Sequence, residues 1–254
     1  MTLRGAAFLA LWNDFDPARD DEYNLWHTFE HVPERVGIEG FISGRRYVAR
    51  ERTEKRYFTL YELDGLAALD GPGYRDVVDR PTAWSAAMRP SFRNFLRSPC
   101  ETIVTTGLGM GGAIATFRFG AAGAPDASSA SASLQPFLET SGITAVHLGR
   151  VDTAARFPVK NAVSPGNAVS EVPMLLLVEG LGRRELEAAA PSIAAALGAK
   201  LGADQPVEWE GYELALVIGR SDLKSPTTAR QPPRSDLRER IEQVAVPPAG
   251  AKHR

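Results

Sequence analysis

The same order of elements occurs twice along the 254 residues, and this repetition limits the possible folds more than any other feature. Gly5 to Trp12 is an apolar run ended by Asn13-Asp14, which reads as a buried strand. Asp20 or Asp21 caps a helix with Glu22 in its first turn. Val32 precedes Pro33 and is biased away from helical geometry, so that helix is expected to end near His31. Phe41 to Ala49 and Arg56 to Leu63 read as strands, and the charged tip Glu51 to Lys55 suits an antiparallel hairpin between them. Gly73 to Phe92 is a second helical region, interrupted by Pro81, and Glu101 to Gly107 is a fourth strand.

The second half runs the same course. Ala113 to Phe119 is a strand, Ser133 to Thr140 a short helix, Thr144 to Asp152 and Val172 to Glu179 strands, Arg183 to Lys200 an Ala-rich helix, and Glu210 to Gly219 a last strand. A register for the duplication pairs Gly37-Ile38 and Gly44-Arg45 with Gly142-Ile143 and Gly149-Arg150, and pairs Glu62 with Glu179. Residues 1–108 and 109–220 are therefore expected to form two units. Gly120 to Ser133, rich in Ala, Gly and Ser, reads as a flexible loop. Residues 221–254 form a tail rich in Pro and Arg with one amphipathic piece near Leu237 to Val244; it is expected to be free in isolation or packed on a neighbour.

Composition narrows the partners. A hydrophobic content of 44% supports a real core, and a net charge of -2 argues against nucleic acid or an anionic membrane as partner. Cys100 is the only cysteine, so no intrachain disulfide can form and a packed structural thiol is expected. With no leader pattern and no apolar run of bilayer length, a cytoplasmic protein is expected.

The stretch Glu22-Tyr-Asn-Leu-Trp-His-Thr-Phe-Glu-His31 places two of the four histidines one helical turn apart on one face. Histidine titrates nearest neutrality, so His31 and His27 are the candidate acid–base groups. The bland alternative is a pair of packing histidines. Their spacing is His-x-x-x-His, without the glutamate of a metalloprotease helix, and a third ligand would have to come from elsewhere, His147 for instance. No metal is expected. Gly107-x-Gly109-x-Gly111-Gly112 has no helix directly after it and reads as a hinge between the units. Trp26, Phe41 and Tyr61 are candidates for an aromatic substrate wall, and Arg45 or Arg46, on opposite faces of one strand, for a carboxylate contact; Arg46 is the one preferred.

The order β-α-β-β-α-β is that of the ferredoxin-like unit. Glu22-Tyr-Asn-x-Trp-His27, Glu30-His31-x-Pro33-Glu34-Arg35, Gly40-Phe41 and Arg45-Arg46-Tyr47 resemble the EthD-like branch of the dimeric α/β-barrel superfamily, over about residues 5 to 106. The resemblance implies an α+β fold in which two tandem ferredoxin-like units pack their antiparallel sheets into one barrel within the chain, as a monomer or a homodimer. It also implies a pocket between sheet and helices, lined by His31. The second unit carries no histidine on its short helix, so one working pocket is expected. The function expected is a cofactor-independent isomerase, cyclase or dehydratase acting by proton transfer on a small aromatic-derived or dienoic substrate, with a neighbouring donor (His27, Tyr61 or an arginine) stabilising the enolate-like oxygen. A monooxygenase of the same superfamily, cofactor-free or haem-dependent, and a non-catalytic ligand-binding protein remain the alternatives.

Overall fold

The computed structural model describes residues 2–49, 51, 54–121, 123, 125–153, 168–169, 171–203, 207–223 and 230–245. The first unit runs β1 (Ala7–Phe15), α1 (Asp20–Trp26), a wide π turn (His27–His31), α2 (Val32–Val36), β2 (Phe41–Val48), β3 (Tyr57–Leu63), α3 (Pro72–Asp79), α4 (Ala83–Met88) and β4 (Phe92–Gly107). The second runs β5 (Ala113–Phe119), α5 (Ala127–Leu138), β6 (Ile143–Val151), the two-residue β7 (Ala168–Val169), β8 (Met174–Gly180), α6 (Arg183–Leu201) and β9 (Glu208–Gly219). A last helix, α7 (Ser235–Ala245), follows.

The strands lie in the order β1-β3-β2-β9-β5-β8-β6-β4, and β4 pairs back onto β1. All of these ladders are antiparallel, and only β7 adds in parallel, beside β4. Each unit thus contributes its strands in the same internal order, and the sheets join at β2–β9 and β4–β6. The barrel closes within one chain and leaves no long edge among its eight main strands.

Strand alternation sorts the core. Phe8, Ala10 and Trp12 of β1 point into the barrel with Phe58, Leu60 and Leu177. Ala7 and Leu9 point outward to a second cluster with Val32, Val36 and Phe41, beneath the helices. Both faces are covered, which is why β1 is buried nearly end to end. Cys100 lies inside the barrel, and burial pushes its thiol well above the usual range, so it is a packing group.

The duplication is written into the polar contacts. Glu62 on β3 accepts the backbone N–H of Gly5 at 2.9 Å, and Glu179 on β8 accepts that of Gly111 at 2.9 Å. Each glycine lies two residues before its unit's first strand. The Glu62–Glu179 pairing expected from the sequence therefore holds. The glycine register is shifted by three: Phe41 and Ile143 are the equivalent starts of the second strands. The residues before them, Gly40 (φ 86°) and Gly142 (φ 83°), both occupy the left-handed region that favours glycine.

Four other expectations change. β4 begins at Phe92, nine residues before Glu101, because Pro99 and a left-handed Asn94 (φ 49°) interrupt the apolar alternation without ending the strand. The helix does not end near His31; the wide turn absorbs Pro33, and α2 follows at once. α5 starts at Ala127, inside the stretch expected as a loop, where Asp126 accepts the N–H groups of Ser128 and Ser129 at 3.0 Å each. The tail is not free over residues 230–245. Leu237 and Ile241 of α7 pack on the cluster of Phe15, Tyr23, Trp26 and Trp84, and Arg234 donates its backbone N–H to Glu30 at 2.7 Å.

Candidate active site

Between the outer face of the first sheet and the helices above it lies a cavity of about 130 Å³. Alternation in the strands delivers its floor: Leu9, Leu11 and Asn13 from β1, Thr59 and Tyr61 from β3, Phe95 and Arg97 from β4. Its roof carries Trp26, His27 and His31, then Arg35 from α2 and Ser85 and Arg89 from the α4 region.

Two local devices place the roof. Proline has no N–H and its ring crowds the carbonyl four residues back, so at Pro33 an ordinary α turn is unfavourable. The backbone widens instead, and the N–H of Val32 reaches the carbonyl of His27. Gly44 on β2 then lets α2 sit close: a Cβ there would lie 2.8 Å from Val32 and 3.0 Å from Val36. Trp26 donates its indole N–H to Ser85 at 3.2 Å, and Trp84 donates to Glu22 at 2.9 Å, tying α1 to α4.

The imidazoles of His27 and His31 stack with centroids 5.2 Å apart, and Trp26 lies 4.4 Å from His31. His27 is buried and His31 half-buried, and the Nδ1 atoms of both are enclosed without a hydrogen-bond partner. Burial lowers the pKa of His27 well below the usual imidazole value, helped by Arg46, His31 and Arg35. Burial likewise lowers that of His31, helped by Arg35, Arg89 and Arg46. Both rings are therefore neutral at neutral pH, each with one unprotonated nitrogen. The Tyr61 hydroxyl is enclosed without a partner, and burial pushes its pKa far up, so it remains an O–H donor.

Of the residues singled out in the sequence, His27, His31, Trp26, Phe41 and Tyr61 meet at this cavity. Arg46 does not line it. Its guanidinium donates to the Asn24 carbonyl at 3.2 Å, to Asn24 Oδ1 at 3.0 Å and to the Thr28 hydroxyl, and lies over the Tyr23 ring. It fastens β2 to the helix behind His27. Arg45 points the other way, into the barrel, where it meets Glu179 at 2.8 Å. His147 also lies inside the barrel, with Nε2 2.9 Å from Glu179, and does not join the histidine pair. Among the described residues no group of three or more His, Cys, Asp or Glu side chains is arranged to hold a metal ion.

Sequence reasoning missed Asn13, Arg89, Phe95 and Arg97, and took Arg35 only as part of a motif. Arg35 follows His31 by four residues, a spacing that could have placed it on the same face. Arg97 and Phe95 sit on the part of β4 that went unrecognised. Nothing in the sequence marks Arg89. In the second unit the equivalent layer is filled by Leu134, Phe137, Leu186, Ile193 and Leu197.

Fold and site define an α+β barrel of two ferredoxin-like units with a histidine-bearing cavity on the first. Solved structures share this dimeric α/β-barrel fold. The crystal structure of an anthrone oxidase-like protein superposes with a TM-score of 0.58 at 10% identity, covering 86% of this chain and 95% of that one. A monooxygenase-type protein of Fusobacterium nucleatum gives 0.53 at 9% identity, over 85% and 95%. At such identities the likeness is one of fold. No family model matches the sequence, and no curated protein matches it. Among the described residues no helix is long and apolar enough to cross a membrane.

Proposed function

We propose that the cavity is the active site of a cofactor-independent enzyme in which His31 takes a proton from a small, flat, carbonyl-bearing substrate. The observation that carries this reading is the pair of neutral, stacked imidazoles whose enclosed nitrogens have no hydrogen-bond partner in an aromatic cavity. A purely structural histidine would be expected to donate to a carbonyl or carboxylate, as His147 does to Glu179. Proton removal next to a carbonyl leaves negative charge on the oxygen, and the enclosed Tyr61 hydroxyl is the donor placed to meet it. His31 then returns the proton to another atom of the substrate, which gives isomerisation, or to a leaving hydroxyl, which gives dehydration. A positioned histidine contributes roughly 10²–10⁴-fold in rate. His27 supports the pair as a second, more buried base. Two of the EthD-like words, Glu22 to His27 and Glu30 to Arg35, fall on this same roof, and it is on them that the chain is placed in that branch.

A second reading begins with the same step. A carbanion formed in an aromatic cavity is a partner for dioxygen, and two proteins of this fold are described as oxidase-like and monooxygenase-type. A panel of small aromatic and dienoic carbonyl compounds, followed by absorbance and by an oxygen electrode, separates the readings. Turnover without oxygen uptake supports proton transfer alone. Stoichiometric uptake supports the oxygenase. Binding without turnover of any compound supports a ligand-binding protein.

A further inference from the structure

The charges around the cavity are one-sided. Arg35, Arg89 and Arg97 line it from three different elements, and no aspartate or glutamate is among the lining residues. Buried guanidinium groups require compensation, normally from carboxylates. Arg35 has only a share of one: Glu34 lies 2.7 Å from it through Oε2, while its Oε1 is held by Arg230 at 2.6 Å. A single carboxylate thus serves two guanidinium groups. Arg89 donates to the backbone carbonyl of Val78 at 2.8 Å and, at 3.5 Å, to that of Val77, both neutral acceptors. Arg89 is half-buried; burial and the nearby charge of Arg35 disfavour its charged form, and Glu34 and Asp79 offset this only in part. The Tyr61 hydroxyl adds an enclosed O–H with no acceptor. These donors share the cavity with the flat apolar surface of Leu9, Leu11, Trp26, Phe41 and Phe92.

We infer that the cavity is selective for a small planar carboxylate, an aromatic or dienoic acid, whose anionic group is held by Arg35 and Arg89, with the Tyr61 hydroxyl left to the carbonyl oxygen, while its apolar body lies against Trp26 and Phe41. This rests on the reading of the cavity as a substrate site and names the substrate class. The arginines then have two functions. They supply the counter-charge for the acid, and, second to burial, they help to keep His31 unprotonated before the acid binds.

Calorimetric titration of the full chain with cinnamate and cinnamamide, and with benzoate and benzamide, tests the inference, since each pair differs in charge and little in shape. The carboxylate is expected to bind at least about tenfold more tightly than its amide, the advantage of hydrogen bonds to a charged group over a neutral one. The advantage should shrink with added salt. Arg89→Gln should reduce it, and Arg89→Lys should retain part of it. Equal affinity for acid and amide, tighter binding of the amide, or no binding of any of the four at millimolar concentration would overturn the inference; this comparison uses only the wild-type chain. His31→Ala should keep the preference for acids, so failure of the proton-transfer reading and failure of this one are separable.

Discussion

The imidazole of His31 lies over that of His27 with an interplanar angle of 29°, on the wide π turn that joins α1 to α2. Two enclosed rings this close cannot readily both carry a proton. The proposed chemistry and stability are linked through that fact, because the groups kept neutral for the proposed proton transfer are also groups that acid must charge.

The sign of the pH dependence follows. Both folded-state values lie below the ordinary one, near 6.5. Above that pH neither state binds the protons and no penalty exists. As pH falls below it, the unfolded chain takes up protons that the folded chain refuses, and stability drops until the folded values are reached. Each histidine contributes about 1.4 kcal/mol per pH unit in that window. Urea unfolding at pH 7.5 and 5.5 should show the loss, and His27→Gln should reduce its slope. An unchanged slope would mean that His27 is not protected from protonation.

Inside the barrel, Glu179 is fully buried between Arg45, His147 and the N–H of Gly111. Burial alone would raise its pKa, but the hydrogen bond from His147 and the charge of Arg45 hold it below the usual carboxylate range. Arg45→Met leaves that charge undercompensated and should cost roughly 3–5 kcal/mol in chemical denaturation. Arg45→Met combined with Glu179→Gln should recover part of the loss. A single substitution costing under about 1 kcal/mol would contradict the assignment, because a surface pair would cost no more.

Arg230 reaches from the C-terminal segment to Glu34, to Asp76 at 3.5 Å and to the Arg80 carbonyl at 2.6 Å. Arg230→Met removes a partner from a buried carboxylate and should destabilise by roughly 1–3 kcal/mol. Hydrogen exchange should rise over residues 27–36, the segment that carries the histidines and Arg35. Increased exchange confined to residues 230–245 would show that the segment rests on the first unit without holding its site.

What the sequence disclosed depends on how local each signal is. β1, β2, β3, β5 and β8 were legible because each is a short apolar or alternating run bounded by charged or turn residues. The histidine pair was legible from spacing alone, since one helical turn places both rings on one face. The start of β4 was hidden by Pro99 and Asn94, and with it went Phe95 and Arg97. The second half of α5 was legible as a helix from Ser133, but its first half was hidden because Ala and Ser give it little periodicity, and Asp126 was its one signal. Arg46 was misjudged as a cavity residue because alternation fixes which face a strand residue takes, not what covers that face. Arg89 becomes part of the site through tertiary packing alone.

The most direct test is deuterium exchange. Wild-type protein and His31→Ala, both shown to be folded, would be incubated in D₂O with carbonyl-bearing cinnamate- and muconate-type acids, and isotope incorporation next to the carbonyl followed by NMR. The account predicts exchange with wild type on at least one compound and a fall of about 10²-fold or more in His31→Ala. Equal exchange rates in the two proteins would contradict the role given to His31.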